Sequence, residues 1–125
     1  MASVLLTDDE NILREAIAQS LTRSGYAVSE AANGGAAIRM LSERSFDVVV
    51  TDLHMPEADG IAVIRMAQSL LPRPAIILIS GRVAELAATD LLQLFGLGAD
   101  AVLAKPFAKR DLLDCIADLI AEREG

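Results

Sequence analysis

Four apolar runs in this chain each end in side chains that can do chemistry. Phe46-Asp47-Val48-Val49-Val50-Thr51 ends in Asp52, and Ser3-Val4-Leu5-Leu6-Thr7 ends in Asp8-Asp9-Glu10. Ala75-Ile76-Ile77-Leu78-Ile79 ends in Ser80, and Ala101-Val102-Leu103-Ala104 ends in Lys105-Pro106. A run of three valines reads as a strand buried on both faces of a parallel sheet. The C-terminal ends of such strands are where open α/β sheets build their sites. Acids, a hydroxyl and an amine together offer cation binding and stabilisation of charge. Taken singly, each has a plainer reading. Asp8 and Asp9 could cap the next helix, where acids suit the dipole; Ser80 could be a cap, Lys105 a solvated strand end, and Asp52 a turn former. Their joint placement at four strand tips points to a site.

Those tips require strands alternating with helices. The first strand is Ser3–Thr7. A helix from about Asn11 to Ser24 buries Leu13, Ala16, Ile17 and Leu21, with Gly25 as its C-terminal cap. Ala27–Ala31 is a short strand, and Asn33 caps a helix to about Arg44 with Ala37, Ile38 and Leu41 inward. After the valine strand, Gly60 opens a helix with Ile61, Ile64, Ala67 and Leu71 at helical spacing, stopped by Pro72-Arg73-Pro74. A fourth helix is predicted from about Val83 to Leu97, closed by Gly96-Leu97-Gly98. A fifth, from about Lys109 to Arg123, carries the stripe Leu112, Leu113, Ile116, Leu119 and Ile120. Five strands strictly alternating with five helices imply a doubly wound α/β fold: a parallel sheet with right-handed crossovers and helices on both faces.

Composition sets the bounds. The chain has 125 residues, enough for one domain with a real core, and is 53% hydrophobic and 23% charged, as globular chains are. A net charge of −7 and a pI near 4.5, with Lys and Arg scattered, argue against direct nucleic-acid binding. Cys115 is the lone cysteine, so a disulfide scaffold is excluded and a small buried hydrophobe is expected. There is no signal-peptide pattern and no apolar run of membrane-spanning length, which makes the cytoplasm the expected location.

Laid out this way, the whole chain resembles the receiver domain of bacterial two-component response regulators, of the chemotaxis-regulator type. The matching residues are Asp8-Asp9, Asp52, the turn Met55-Pro56-x-x-Asp59-Gly60, Ser80-Gly81 and Lys105-Pro106-Phe107, in order and each at its expected strand end. The resemblance implies a single receiver domain over 1–125 with flavodoxin-like strand order 2-1-3-4-5. It implies that Asp52 accepts a phosphoryl group from a phosphohistidine on a sensor histidine kinase or histidine phosphotransfer protein. Mg2+ would neutralise the repulsion between Asp52 and the incoming group. On the family pattern Asp9 and Asp52 are direct ligands, Asp8 acts directly or through water, and the backbone carbonyl of His54 completes the set. Lys105 pairs with Asp52 and then with a phosphoryl oxygen, while the Ser80 hydroxyl takes another, so positioning and charge stabilisation do the chemistry. The Lys105–Pro106 peptide is expected to be cis, since an X–Pro bond allows this at small cost; a trans Pro106 starting the last helix is the alternative. Such a domain modifies itself and is not expected to be an enzyme with turnover.

Three departures from the family pattern stand out. An aromatic residue often lies three positions before the lysine, where it swings inward on phosphorylation; here that position is Val102, stiff and without a ring. His54 and Arg82 occupy positions that in the family tune loss of the phosphoryl group to water. Arg82 sits at a predicted helix start, where a cation is mildly disfavoured. The segment between Ser80 and Lys105 is longer than is common, and its Leu91, Leu92, Leu94, Phe95 and Leu97 exceed what one helix face needs. That surplus suits either core burial or a partner or homodimer face. The fourth helix, fifth strand and fifth helix form the family's output surface toward an effector domain or protein.

Three rival functions are disfavoured. An FMN carrier needs a hydroxyl-rich loop after the first strand, where Asp8-Asp9-Glu10 would repel the phosphate. A phosphatase of the aspartyl-phosphate type places a second Asp two residues after its nucleophile, where this chain has His54, and uses the first strand instead of the third. A degenerate receiver would lack part of the acceptor set.

Overall fold

The valine run forms β3 (Val48–Asp52), buried along its whole length, and β4 (Ala75–Ser80) is likewise buried at every position. Strands that are apolar on both faces are stable only at the centre of a sheet with helices above and below. The computed structural model describes residues 1–53, 55, 60–80 and 98–124. In it, β1 (Ser3–Thr7), β2 (Ala27–Ala31) and β5 (Ala101–Ala104) join the central pair in an all-parallel sheet of order β2-β1-β3-β4-β5. This is the doubly wound architecture that strand–helix alternation predicts, in the flavodoxin-like order that the family resemblance implies.

The two-residue period of the strands sorts the core into two layers. Leu5, Val49, Ile76 and Leu78 meet Ala37 and Leu41 of α2 (Gly34–Glu43) and Val63, Ile64 and Ala67 of α3 (Gly60–Gln68). On the opposite face, Val4, Leu6, Val48, Val50, Ile77 and Ile79 meet Ile17 and Leu21 of α1 (Asn11–Arg23) and Leu112 and Ile116 of the C-terminal helix Lys109–Glu124. Each fully buried Leu or Ile is worth about 1.5–3 kcal/mol over its exposed state. Together these two layers hold the strand tips rigid. Cys115 is half-buried against the second layer, and burial, with Asp118 and Glu122 nearby, pushes its thiol pKa up.

Local signals explain most boundaries. Asn33 caps α2 by accepting the Ala36 N–H at 2.8 Å, and Gly25 follows α1 with φ 97°. Two expectations fail. α3 ends at Gln68, so Leu71 is not part of its inward face but 95% exposed, beside a cis Leu71–Pro72 peptide. Helix α1 is rotated from its expected orientation: Leu13 and Ala16 are only half-buried, whereas Arg14 and Ala18 are buried. The reason lies in the site, where Arg14 has polar partners. The predicted helix over 83–97 lies outside the described residues.

Candidate functional site

Sheet register gathers the reactive residues. Thr7 pairs with Thr51, Asp52 with Ile79, and Ser80 with Ala104, so Asp8, Asp52, Ser80 and Lys105 all fall at the same edge. The Leu53 N–H donates to Ile79 O at 3.0 Å and the Lys105 N–H to Ser80 O at 2.9 Å, continuing the ladders past the last paired residues. Gly60 then closes the loop after β3: its N–H donates to Leu53 O at 2.9 Å. A Cβ at position 60 would collide with the Asp52 carbonyl and Leu53 Cα, so only glycine permits this approach.

Lys105 is the hub. Its Nζ lies 2.7 Å from Asp52 Oδ2, 2.9 Å from Asp8 Oδ2 and 3.0 Å from Glu10 Oε1. Asp8 is fully buried and Asp52 nearly so, while the Glu10 side chain is 59% exposed. One ammonium therefore faces three carboxylates, two of them shielded from water. Burial raises the pKa of Asp8, against the opposing pull of the Glu10 backbone N–H and Lys105. Burial would lower the pKa of Lys105, but its bonds to Asp52, Asp8 and Glu10 outweigh that and hold it well above the ordinary lysine range. Ser80 is fully buried at the tip of β4, and the Lys105–Pro106 peptide is cis.

The acidic set differs from the expected one. Oxygens of Asp8, Glu10 and Asp52 all lie within 4.8 Å of one another. Asp9, expected as a direct ligand, is exposed and stands outside this group, whereas Glu10, equally exposed, stands inside it. The cause is backbone geometry. The chain bends at Asp9, just past β1, and Glu10 follows in an extended conformation at φ −82° and ψ 94°, so that Asp8 and Glu10 both reach Lys105. Nor is Asp8 a side-chain cap of α1; Glu10 holds that position without a side-chain cap, and Asp8 Oδ1 instead accepts the Glu10 N–H at 2.9 Å. His54 and Arg82 lie outside the described residues, as do Pro56, Asp59 and Gly81. Val102 is half-buried, opposite Leu78, and packs against the α2–α3 layer.

Arg14 is the residue that sequence reasoning passed over. Its Nη1 donates to the Asp8 carbonyl at 2.9 Å and to Asn11 Oδ1 at 2.8 Å, and its Nε pairs with Glu30 Oε1 at 3.1 Å. A charged residue among the apolar positions of an amphipathic helix was the available signal.

The donor set fits a hard divalent cation. All three converging groups are carboxylates, and Asp8 Oδ2 is buried and accepts no aligned hydrogen bond although it is ion-paired with Lys105.

The family follows from comparison with known proteins. A family model described as the response regulator receiver domain matches residues 4–117. The response regulator receiver protein CpdR of Brucella abortus is 36% identical over 121 residues, covering 96% of this chain and 98% of CpdR. The transcriptional regulatory protein ResD of Bacillus subtilis is 34% identical over 88% of this chain, which spans only 44% of ResD. Among solved structures, a CheY-like receiver domain protein from Methanospirillum hungatei superposes with a TM-score of 0.90 at 27% identity, covering 99% of this chain and 97% of that one. The response regulator TrrA of Thermotoga maritima, solved in complex with Mg2+ and BeF, gives a TM-score of 0.81 at 26% identity, covering 95% and 99%. The chain belongs to the response regulator receiver family of two-component systems, and its acidic pocket is consistent with Mg2+ and a phosphoryl-accepting aspartate.

Proposed function

We propose that the chain is a phosphorylation-dependent switch in which Asp52 accepts a phosphoryl group from a phosphohistidine on a sensor histidine kinase or histidine phosphotransfer protein. The observation that carries this reading is the Lys105 ammonium 2.7 Å from Asp52 Oδ2, with Asp8 and Glu10 converging on the same point. Mg2+ bound by Asp8, Glu10 and Asp52 would neutralise the repulsion between a carboxylate nucleophile and an anionic donor. Lys105 holds Asp52 in place and supplies a positive charge for a phosphoryl oxygen. Ser80, at the adjoining strand tip, would donate its hydroxyl to another.

In this reading the chain modifies and restores only itself and is not an enzyme with turnover. It acts in the cytoplasm; in keeping with that, no helix among the described residues is long and apolar enough to cross a membrane. Its relatives divide between receivers of similar length and regulators about twice as long, so the effector is either a separate protein or a further domain. The output is carried by the predicted helix over 83–97, β5 and the C-terminal helix, a surface that also suits a homodimer. With Val102 in place of an aromatic, Ser80 is the coupling element, since it leads directly into Gly81 and Arg82.

The test is incubation with acetyl phosphate and Mg2+ followed by intact mass. One phosphoryl group is expected on the wild type and none on Asp52→Asn or in EDTA; equal labelling of Asp52→Asn would overturn the assignment.

A further inference from the structure

We propose that Arg14 is a positioning residue for the acid loop: anchored by Glu30 on β2, its guanidinium fixes the Asp8 peptide and so sets the direction from which Asp8 and Glu10 reach the site. A guanidinium that is nine-tenths buried on a helix needs a reason, because its desolvation is costly unless its donors are used. Here they are used on three separate pieces of chain. Nε reaches Glu30 on β2, and Nη1 reaches both the Asp8 carbonyl at the end of β1 and Asn11 at the start of α1. Only the planar fork of arginine can bridge partners so arranged; lysine has a single nitrogen.

Both backbone groups of Asp8 are thereby held. Its N–H donates to Ala31 O of β2 at 3.2 Å, and its C=O accepts from Arg14 at 2.9 Å. The peptide units before and after Asp8 are thus each tied down, and the Asp8 side chain lies with Oδ1 on the Glu10 N–H and Oδ2 toward Lys105. The orientation of α1 that buries Arg14 alongside Ile17, Ala18 and Leu21 leaves Leu13 and Ala16 half-buried.

This inference rests on the metal site proposed above, and its test separates the two. Mg2+ affinity is measured by calorimetric titration for the wild type, Arg14→Met, Arg14→Lys and Glu30→Gln, with hydrogen exchange of the Glu10 amide in EDTA as a metal-free readout. Arg14→Met is expected to raise the Mg2+ Kd about tenfold, a 1.4 kcal/mol change, and to speed Glu10 amide exchange by a similar factor. Arg14→Lys should recover part of the affinity, and Glu30→Gln should weaken it about threefold, because a loosened anchor costs less than a lost one. If Arg14→Met does not fold, Glu30→Gln decides. Unchanged Mg2+ affinity and unchanged Glu10 exchange in a folded Arg14→Met, or in Glu30→Gln where that variant decides, would overturn the positioning role. A wild type that binds no Mg2+ would instead remove the metal site itself, leaving the exchange measurement to judge Arg14.

Discussion

Replacing Lys105 by methionine should destabilise the metal-free protein in a pH-dependent way. The ammonium is the shared partner of two carboxylates whose side chains are 0% and 7% exposed, at 2.9 and 2.7 Å. Removing one member of a buried ion pair costs about 3–5 kcal/mol, because the other charge stays desolvated. Glu10, at 59% side-chain exposure, adds at most about 1 kcal/mol, since water replaces its partner. Asp8 can escape part of the cost by taking up a proton, which its raised pKa already favours. The expected loss at pH 7 is therefore near the lower bound, about 3 kcal/mol, or a fall in Tm of about 10 °C for a chain of this size. Urea denaturation in EDTA at pH 7 and pH 5 measures it, and the loss should shrink at pH 5 as Asp8 protonates. Millimolar Mg2+ should return most of the stability, because the ion supplies the missing positive charge. A Lys105→Met protein as stable as wild type in EDTA at pH 7 would refute the reasoning, as would a loss independent of pH.

The same cluster predicts an opposite sign for its acids. Because the folded-state pKa of Asp8 is raised above 3.8, stability is greatest below that value and declines as pH rises through the raised one. Asp8→Asn should therefore stabilise the metal-free fold at pH 7 by about 1 kcal/mol in urea melts while weakening Mg2+ binding; a clear destabilisation in EDTA would contradict this. Gly60→Ala should cost about 2–3 kcal/mol and depress phosphorylation, because its methyl group would displace the Asp52 carbonyl; a variant equal to wild type in both would sink that claim. Beryllofluoride with Mg2+ should shift amide resonances across residues 81–97 more than those of Val102 and its strand neighbours. A response confined to the loop after β3 would assign the switch elsewhere.

Much of the fold was legible because β3 and β4 are buried on both faces, which leaves an unbroken apolar run, and because Gly25 and Asn33 mark helix ends. What failed depended on tertiary contacts. Leu71 sits at the right spacing to extend α3, yet the helix ends at Gln68, a boundary that helical periodicity alone does not contain. The edge that carries the site was legible as strand tips, since register alone brings Asp8, Asp52, Ser80 and Lys105 together. The part Glu10 takes in the cluster was not, because the family pattern draws attention to the adjacent pair Asp8-Asp9. The reach of Glu10 to Lys105 depends on the bend at Asp9, which strand and helix periodicity do not contain. Arg14 was missed for a related reason: helical spacing ranks positions by apolarity, and a buried charge shows its logic only once its three partners are in place.

The central claim, that Asp52 is the phosphoryl acceptor, is tested most directly by trapping the acyl phosphate. The protein is phosphorylated with acetyl phosphate and Mg2+, reduced with borohydride, and digested for peptide mass mapping. Conversion of Asp52 to homoserine, with Asp8, Asp9 and Glu10 unchanged, is the predicted result. Homoserine at any other aspartate, the corresponding alcohol of a glutamate, or an unmodified Asp52 in protein that carries the phosphoryl group, would contradict it.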